Sequence, residues 1–346
     1  MTFIRTDANE EIATGHIMRC LTIAEQLDLK GEQVIFLVSD LNSVKLIQDT
    51  KYNYICLNCS WKNLDAKQEL AALQLSDNQK PNLIIDTYSV KNAYIKEMRK
   101  HFNVICFDDM FDEKYDVDVL INYNLYYEKF DYEKRYLSSG TKLLLGGQYV
   151  PLRSQFLNQN VNRTWSIDYQ KKRILLICGG GDPLNCMARI LKWVIFNCAE
   201  FFEKIRWDVV VGNYNCYEEQ LKDLQEKYHN ICLHYNVKNM AKLMSECYLC
   251  ISAASTVLYE CCAMQLPTVF FCTAENQKHD APYFAKDGMM LYAGDIRVVE
   301  QGVFKNIFLN IEKVMENQGV YQKMICLMRN IVDGQGATRI ADEIIY

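Results

Sequence analysis

Along most of the chain, short apolar runs alternate with longer stretches in which apolar residues recur at helical spacing. The runs predict strands at Phe3–Arg5, Val34–Val38, Tyr54–Leu57, Leu83–Asp86, Val104–Phe107, Val119–Asn122 and Leu143–Leu145. A second series follows at Ile174–Cys178, Trp207–Val211, Ile231–His234, Leu249–Ser252, Thr268–Phe271 and Met290–Tyr292. These runs are rich in Ile, Val, Leu and Phe and do not alternate with polar residues, which is the pattern of strands covered on both faces. Helical patterns lie between them at Ile17–Leu29, Leu64–Leu75, Tyr94–Arg99, Ala188–Phe202 and Glu218–Lys227. The stretch Phe304–Tyr346 is helical throughout, including Val320–Val332 and Ala337–Ile345. Strand, helix and strand repeated in this way build parallel sheets with right-handed crossovers. The alternation stops once, at the polar segment Asn158–Lys172, which has no period. The prediction is an α/β, GT-B-like fold: two tandem Rossmann-like domains, residues 1–157 and 173–346, joined by a 158–172 linker and opening on an interdomain cleft.

Composition narrows the function classes. A chain of 346 residues fits two domains. The 38 basic against 43 acidic residues give a charge of −5 with no basic run, which argues against nucleic acid or an anionic membrane as the partner. An anionic ligand must therefore be held by local features. No apolar run reaches the roughly 18 residues of a membrane span. The N-terminus lacks the apolar core of a signal peptide, so a cytoplasmic protein is expected. Fifteen cysteines then read as reduced thiols. The two Cys-x-x-Cys pairs, Cys56/Cys59 and Cys247/Cys250, have no histidine close by in sequence and read as apolar fillers. No metal and no cofactor are expected.

Ligands of open α/β sheets sit beyond the carboxyl ends of the strands, where loops enter helices. Four such regions could carry chemistry. After the first strand comes a loop ending in Thr14-Gly15-His16, small residues and free amides at a helix N-terminus, suited to a phosphate or a developing oxyanion. His16 can act there as a general base toward water, and Arg19 follows on the same helix face. After the first strand of the second series, Gly179-Gly180-Gly181-Asp182-Pro183 lets backbone approach a ligand closely, with Asp182 as a helix cap and Pro183 at its first position. It lacks the remaining glycines of a dinucleotide fingerprint and the Lys of a P-loop. A third loop, Ala254-Ser255-Thr256, leads into a helix carrying Glu260, whose carboxylate suits a vicinal diol such as ribose, and Asn276-Gln277 follow a later strand. The fourth region is acidic: Asp86-Thr87-Tyr88 and Asp108-Asp109 end neighbouring strands, and Asn122 and Asn124 close a later one. One of these carboxylates could orient the imidazole or a water.

At these residues the chain resembles the UDP-2,4-diacetamido-2,4,6-trideoxy-β-L-altropyranose hydrolases of pseudaminic acid biosynthesis, and more broadly GT-B glycosyltransferases. The family's opening Arg-x-Asp and Gly-x-Gly-His-x-x-Arg are matched by Arg5, Asp7 and Ala13 to Arg19, with Ala13 in place of the first glycine. Asp86 and Tyr88, the pair Asp108/Asp109, and Leu145-Gly146-Gly147-Gln148-Tyr149-Val150-Pro151-Leu152-Arg153 match further family elements. So do the Gly179–Pro183 loop, Ala254–Thr256, Glu260 and Asn276-Gln277.

The resemblance implies hydrolysis of a UDP-linked amino sugar. Water attacks the anomeric carbon with inversion and UDP departs, with His16, Asp86, Tyr88 and Asp108 at the reacting centre. The implied substrate contacts are Arg5, Asp7, Gly15, Arg19, Asp109, Asn122, Arg153, Gly180, Gly181, Ala254, Ser255, Thr256, Glu260, Asn276 and Gln277. The first domain would take the sugar and the second UDP, and a monomer is expected. The alternatives are a GT-B transferase, with His16 deprotonating an acceptor hydroxyl, and a non-catalytic sugar-nucleotide-binding module.

Overall fold

A computed structural model describes residues 1–9, 12, 14–73, 75, 80–157, 159, 161–168 and 172–345. Ala13 and parts of the 158–172 segment therefore lie outside the described residues. The chain forms two compact units, one of residues 1–154 with 334–346 and one of residues 155–333.

The first unit is built on seven parallel strands: β1 (Thr2–Thr6), β2 (Val34–Val38), β3 (Asn53–Cys56), β4 (Asn82–Asp86), β5 (Asn103–Phe107), β6 (Val119–Asn122) and β7 (Lys142–Leu145). Their order is β3-β2-β1-β4-β5-β6-β7. Each strand coincides with an apolar run read from the sequence, because burial on both faces leaves few polar positions. Ile4, Phe36, Leu37, Leu83, Ile84, Ile85, Leu120 and Ile121 are fully buried. The order reverses beside β1, where β1 pairs with β2 on one side and with β4 on the other, Thr6 aligning with Asp86. At this switch point crossovers leave in opposite directions and open a crevice.

The second unit repeats the plan with six parallel strands: β8 (Arg173–Ile177), β9 (Arg206–Val211), β10 (Ile231–Tyr235), β11 (Leu249–Ala253), β12 (Thr268–Cys272) and β13 (Leu291–Asp295). The order β10-β9-β8-β11-β12-β13 puts its switch point between β8 and β11, where Ile177 aligns with Ser252. The sheet topology is that of two doubly wound α/β units.

Three local readings are corrected. The Ala188–Phe202 pattern is two helices, Cys186–Asn197 and Ala199–Lys204, because Cys198 leaves the helical region at φ −142°. Pro183 does not open the first of these, which starts at Cys186; Asp182 still caps it, accepting from the amides of Cys186 at 2.7 Å and Met187 at 3.0 Å. The C-terminal helical stretch is interrupted between Arg329 and Gly336. Its last helix, Gly336–Ile345, belongs to the first unit, where Thr338 bonds Gln26 and Arg339 bonds the carbonyl of Gln148. The fit is close enough that a Cβ on Gly336 would come within 2.2 Å of the Val150 carbonyl oxygen. Within the polar 158–172 segment, Arg163 bonds the carbonyls of Met244, Cys247 and Met264, and the Trp165 indole bonds that of Met315. Arg163 and Trp165 thus fasten this part of the chain to the rest of the second unit.

Candidate active site

The Gly15–Leu29 helix leaves the crevice at β1 with His16, Arg19 and Cys20 on one buried face, the i, i+3, i+4 set of a helix. β4 ends at the same crevice with Asp86, which is 1% exposed. His16 Nδ1 lies 2.5 Å from Asp86 Oδ1. Arg19 grips the same carboxylate with two donors, Nε to Oδ2 at 2.6 Å and Nη2 to Oδ1 at 2.5 Å. It also reaches Asp109 Oδ2 at 2.9 Å and the Tyr123 hydroxyl at 2.8 Å, and its guanidinium carbon lies 4.4 Å from the centre of the Phe107 ring. Three strand ends therefore converge on one guanidinium.

Burial opposes ionisation of Asp86, but Arg19 and then His16 outweigh it and hold the carboxyl well below the ordinary carboxylate range. An ionised Asp86 can only accept, so the contact to His16 requires a proton on Nδ1. The neutral ring then presents its lone pair at Nε2, which has no hydrogen-bond partner among the described residues. The exposed ring of Tyr88 stands edge-on to the imidazole with centroids 4.4 Å apart. Gly15 opens the helix beside His16, and a Cβ built there meets no atom within 4 Å.

Several predicted residues do other work. Arg5 is fully buried and bonds Glu69, Asp7 and Ser39, while Asp7 takes the Ser39 amide at 2.6 Å; both tie the ends of β1 and β2 together. Asp108 accepts from the amides of Met110 and Phe111 and pairs with the Tyr132 hydroxyl, so it shapes its own turn and does not bond His16. Asn122 bonds Tyr132 and Asn124, and Asn124 in turn bonds Asp109 at 2.9 Å. Arg153 is half-buried at the end of the first unit. Sequence reading missed Glu69 and Tyr123. Glu69 carried one signal, an acidic residue within the Leu64–Leu75 helical pattern.

In the second unit both small-residue loops reach the switch point between β8 and β11. The amides of Gly180 and Gly181 have no partner among the described residues, and neither do those of Ser255 and Thr256. Ala254 differs: its amide donates to the Phe271 carbonyl at 2.8 Å and continues the sheet. Gly212 at the end of β9 has no room for a side chain, since a Cβ would lie 2.3 Å from the Gly180 oxygen. Nothing in the local residue pattern marks this contact. Glu260 is half-buried on the Val257–Ala263 helix. Gln277 turns its side-chain oxygen to the amides of Thr273 and Ala274 and fastens the loop after β12, while Asn276 is exposed.

One His/Cys/carboxylate cluster forms among the described residues: Asp208, Cys232 and His234, with ligand atoms within 4.8 Å of one another. Asp208 is already paired with Arg173, Arg206 and His234, two fixed cations that oppose a metal ion. Of the Cys-x-x-Cys pairs, Cys247 and Cys250 are buried, and burial pushes the Cys247 thiol up to about 12.

No family model matches the chain. It is 25% identical over 287 residues to the UDP-2,4-diacetamido-2,4,6-trideoxy-β-L-altropyranose hydrolase of Campylobacter jejuni, covering 82% of this chain and 96% of that protein. It is 26% identical over 291 residues to protein MJ1062 of Methanocaldococcus jannaschii, covering 80% of this chain; it spans about half (56%) of that relative's length. Among solved structures, MurG of Acinetobacter baumannii superposes with a TM-score of 0.66 at 14% identity, covering 99% of this chain and 98% of the other. MnaA of S. aureus in complex with UDP gives 0.64 at 15% identity, covering 100% and 96%. The fold is the GT-B fold, and the likeness to the hydrolase family read from the motifs extends over most of the chain.

Proposed function

We propose that the protein is an enzyme acting on a UDP-sugar, and specifically a hydrolase that releases UDP from a UDP-linked diacetamido-trideoxy sugar in nonulosonic acid biosynthesis. The observation that carries this reading is the His16–Asp86 pair at the crevice of the first unit, with Nε2 left as the free base. Water is a poor nucleophile and needs a base within hydrogen-bond reach. Nε2 takes a proton from water as its oxygen bonds the anomeric carbon. The bond from that carbon to the phosphate oxygen breaks, the electron pair leaves with UDP, and the configuration inverts. Asp86 stabilises the imidazolium that forms. The partnerless amides of Gly180, Gly181, Ser255 and Thr256 suit the oxygens of the departing diphosphate, a negative charge that must be held for UDP to leave. Glu260 is assigned to the ribose hydroxyls, as its motif implies. In this reading the first unit binds the sugar and the second unit binds UDP.

Two variants test the parts. Glu260→Ala is expected to weaken UDP binding by about 1–3 kcal/mol, the scale of hydrogen bonds to a charged group, measured by calorimetry; unchanged affinity removes Glu260 from the site. Gly15→Ala is expected to fold with stability unchanged or raised by about 0.5–1 kcal/mol, because the new methyl meets no atom. The same methyl would occupy space beside the base and misplace the sugar, lowering turnover by about tenfold or more. Melting curves and initial rates on one preparation separate the two effects, and a fully active variant means that nothing binds there.

The exposed side chains of Tyr88 and Met110, on the loops after β4 and β5, favour a second reading, since an apolar surface there would equally suit an acceptor molecule. In that case His16 deprotonates an acceptor hydroxyl. Incubation with the UDP-sugar alone decides between them: free sugar formed without acceptor supports hydrolysis.

A further inference from the structure

We infer that Met110 is a specificity-determining residue: with the ring of Tyr88 it forms an apolar wall beside His16 that receives a methyl group of the bound sugar. The inference rests on the reading of His16 as the base of a UDP-sugar enzyme and deepens it to a substrate class, sugars that carry deoxy or acyl methyl groups. Asp109 bonds Arg19, whose Nη2 lies 3.2 Å from His16 Nδ1, and Met110 is the next residue of the chain. Tyr88 meets the imidazole edge-on from the loop after β4. β4 and β5 are neighbours with Ile85 beside Cys106, and the register carried three residues further sets Tyr88 level with Asp109, next to Met110. Both side chains are about half exposed, Tyr88 at 53% and Met110 at 48%. A water that attacks the anomeric carbon must lie within hydrogen-bond reach of Nε2, so the sugar ring sits against this same rim.

The turn that presents Met110 is held against its own preference. Phe111 has φ +59°, in the left-handed region where a bulky side chain is rare. The other described non-glycine residues with positive φ are Asn, Asp or Gln. Asp108 Oδ1 accepts the Phe111 amide at 2.8 Å and that of Met110 at 3.2 Å. The Arg135 guanidinium donates to the Phe111 carbonyl at 2.7 Å and lies 3.2 Å above its ring, which stacks on Phe130 with centroids 4.7 Å apart. Strain over-determined in this way is characteristic of loops that contact ligands, and its result here is a methionine kept out of the core at the mouth of the crevice. The unbranched, polarizable thioether adapts to the shape of a methyl, and a methyl brings no hydrogen bond that the wall would leave unmade.

The test is calorimetry on the full chain with non-hydrolysable analogues in which a methylene replaces the anomeric oxygen of the UDP-sugar. Three are compared: the diacetamido-trideoxy sugar, its counterpart with a hydroxyl on carbon 6, and its counterpart with formyl in place of acetyl groups. Wild type is expected to bind the first about 3–10-fold more tightly than one of the other two, the scale of one methyl moved from water to an apolar contact. A weaker 6-hydroxy analogue places that methyl on carbon 6, and a weaker formyl analogue places it on an acyl group. Met110→Gln, at an exposed position, is expected to melt as wild type does, to erase the preference and to keep the wild-type affinity for UDP alone. A wild type that binds all three alike, or none of them, overturns the inference. So does a Met110→Gln variant that keeps the preference, which leaves the patch to an acceptor, and one that loses UDP affinity together with it. Turnover is not needed: a preference erased by Met110→Gln in a protein that releases no UDP from the hydrolysable sugar upholds this inference and counts against the hydrolase reading alone.

Discussion

His16→Ala is expected to lower kcat for the proposed UDP-sugar hydrolysis by about 10²–10⁴-fold, the contribution of a positioned general base, and to leave UDP affinity within about twofold. The expectation follows from the division of labour proposed for the two units. The proposed base, His16, stands on the first unit, with Nδ1 fixed by Asp86 at 2.5 Å. The amides suited to the diphosphate belong to loops of the second. Removing the imidazole should therefore cost chemistry and spare nucleotide binding. Rates under saturating substrate, with UDP affinity from calorimetry, make the comparison. A variant that turns over normally removes His16 from the mechanism, and one that loses UDP affinity makes it a phosphate contact.

Arg19→Met is expected to be the most destabilising single change at the site, by about 3–5 kcal/mol, the cost of removing one partner from a buried ion pair. The methionine keeps the volume and removes the charge that two carboxylates share, Asp86 and Asp109. The pH dependence supplies the signature. In wild type the folded-state pKa of Asp86 is held below its unfolded value. Its contribution is therefore present above the ordinary carboxylate pKa and lost only as pH falls through the depressed one. In Arg19→Met burial is no longer outweighed by the guanidinium, so the folded-state pKa rises above the unfolded value. Protonation then relieves the buried charge, and the variant recovers part of its deficit as pH falls from 7 toward 5. Denaturant unfolding of both proteins across that range measures it; a deficit below about 1 kcal/mol, or one that does not shrink on acidification, contradicts the account.

The fold was readable because strands covered on both faces leave an uninterrupted apolar signature. Ile84 and Ile85 or Leu249 to Ile251 could be little else once helical patterns flanked them. Topology placed the His16 loop next to Asp86, and the sequence carried that neighbourhood in the order of its strands. The partners of buried polar groups were less legible. Arg5 and Asp7 look like ligand contacts in a motif, and only their register beside β2 shows them bonding Ser39. Ala254 looks like a loop amide, yet its N–H completes the ladder to β12. Tyr123 carries no mark in sequence of the guanidinium it meets on a helix more than a hundred residues away. Each of these depends on contacts between distant segments, which composition and periodicity do not encode.

The most direct test of the central claim is hydrolysis of the UDP-sugar in H₂¹⁸O without acceptor, with products read by mass spectrometry and ¹H NMR before the anomers equilibrate. The account predicts ¹⁸O on the anomeric carbon of the free sugar, none in UDP, and an anomer opposite in configuration to the substrate. Label in the β-phosphate of UDP, or no release of sugar until an acceptor is added, would contradict it.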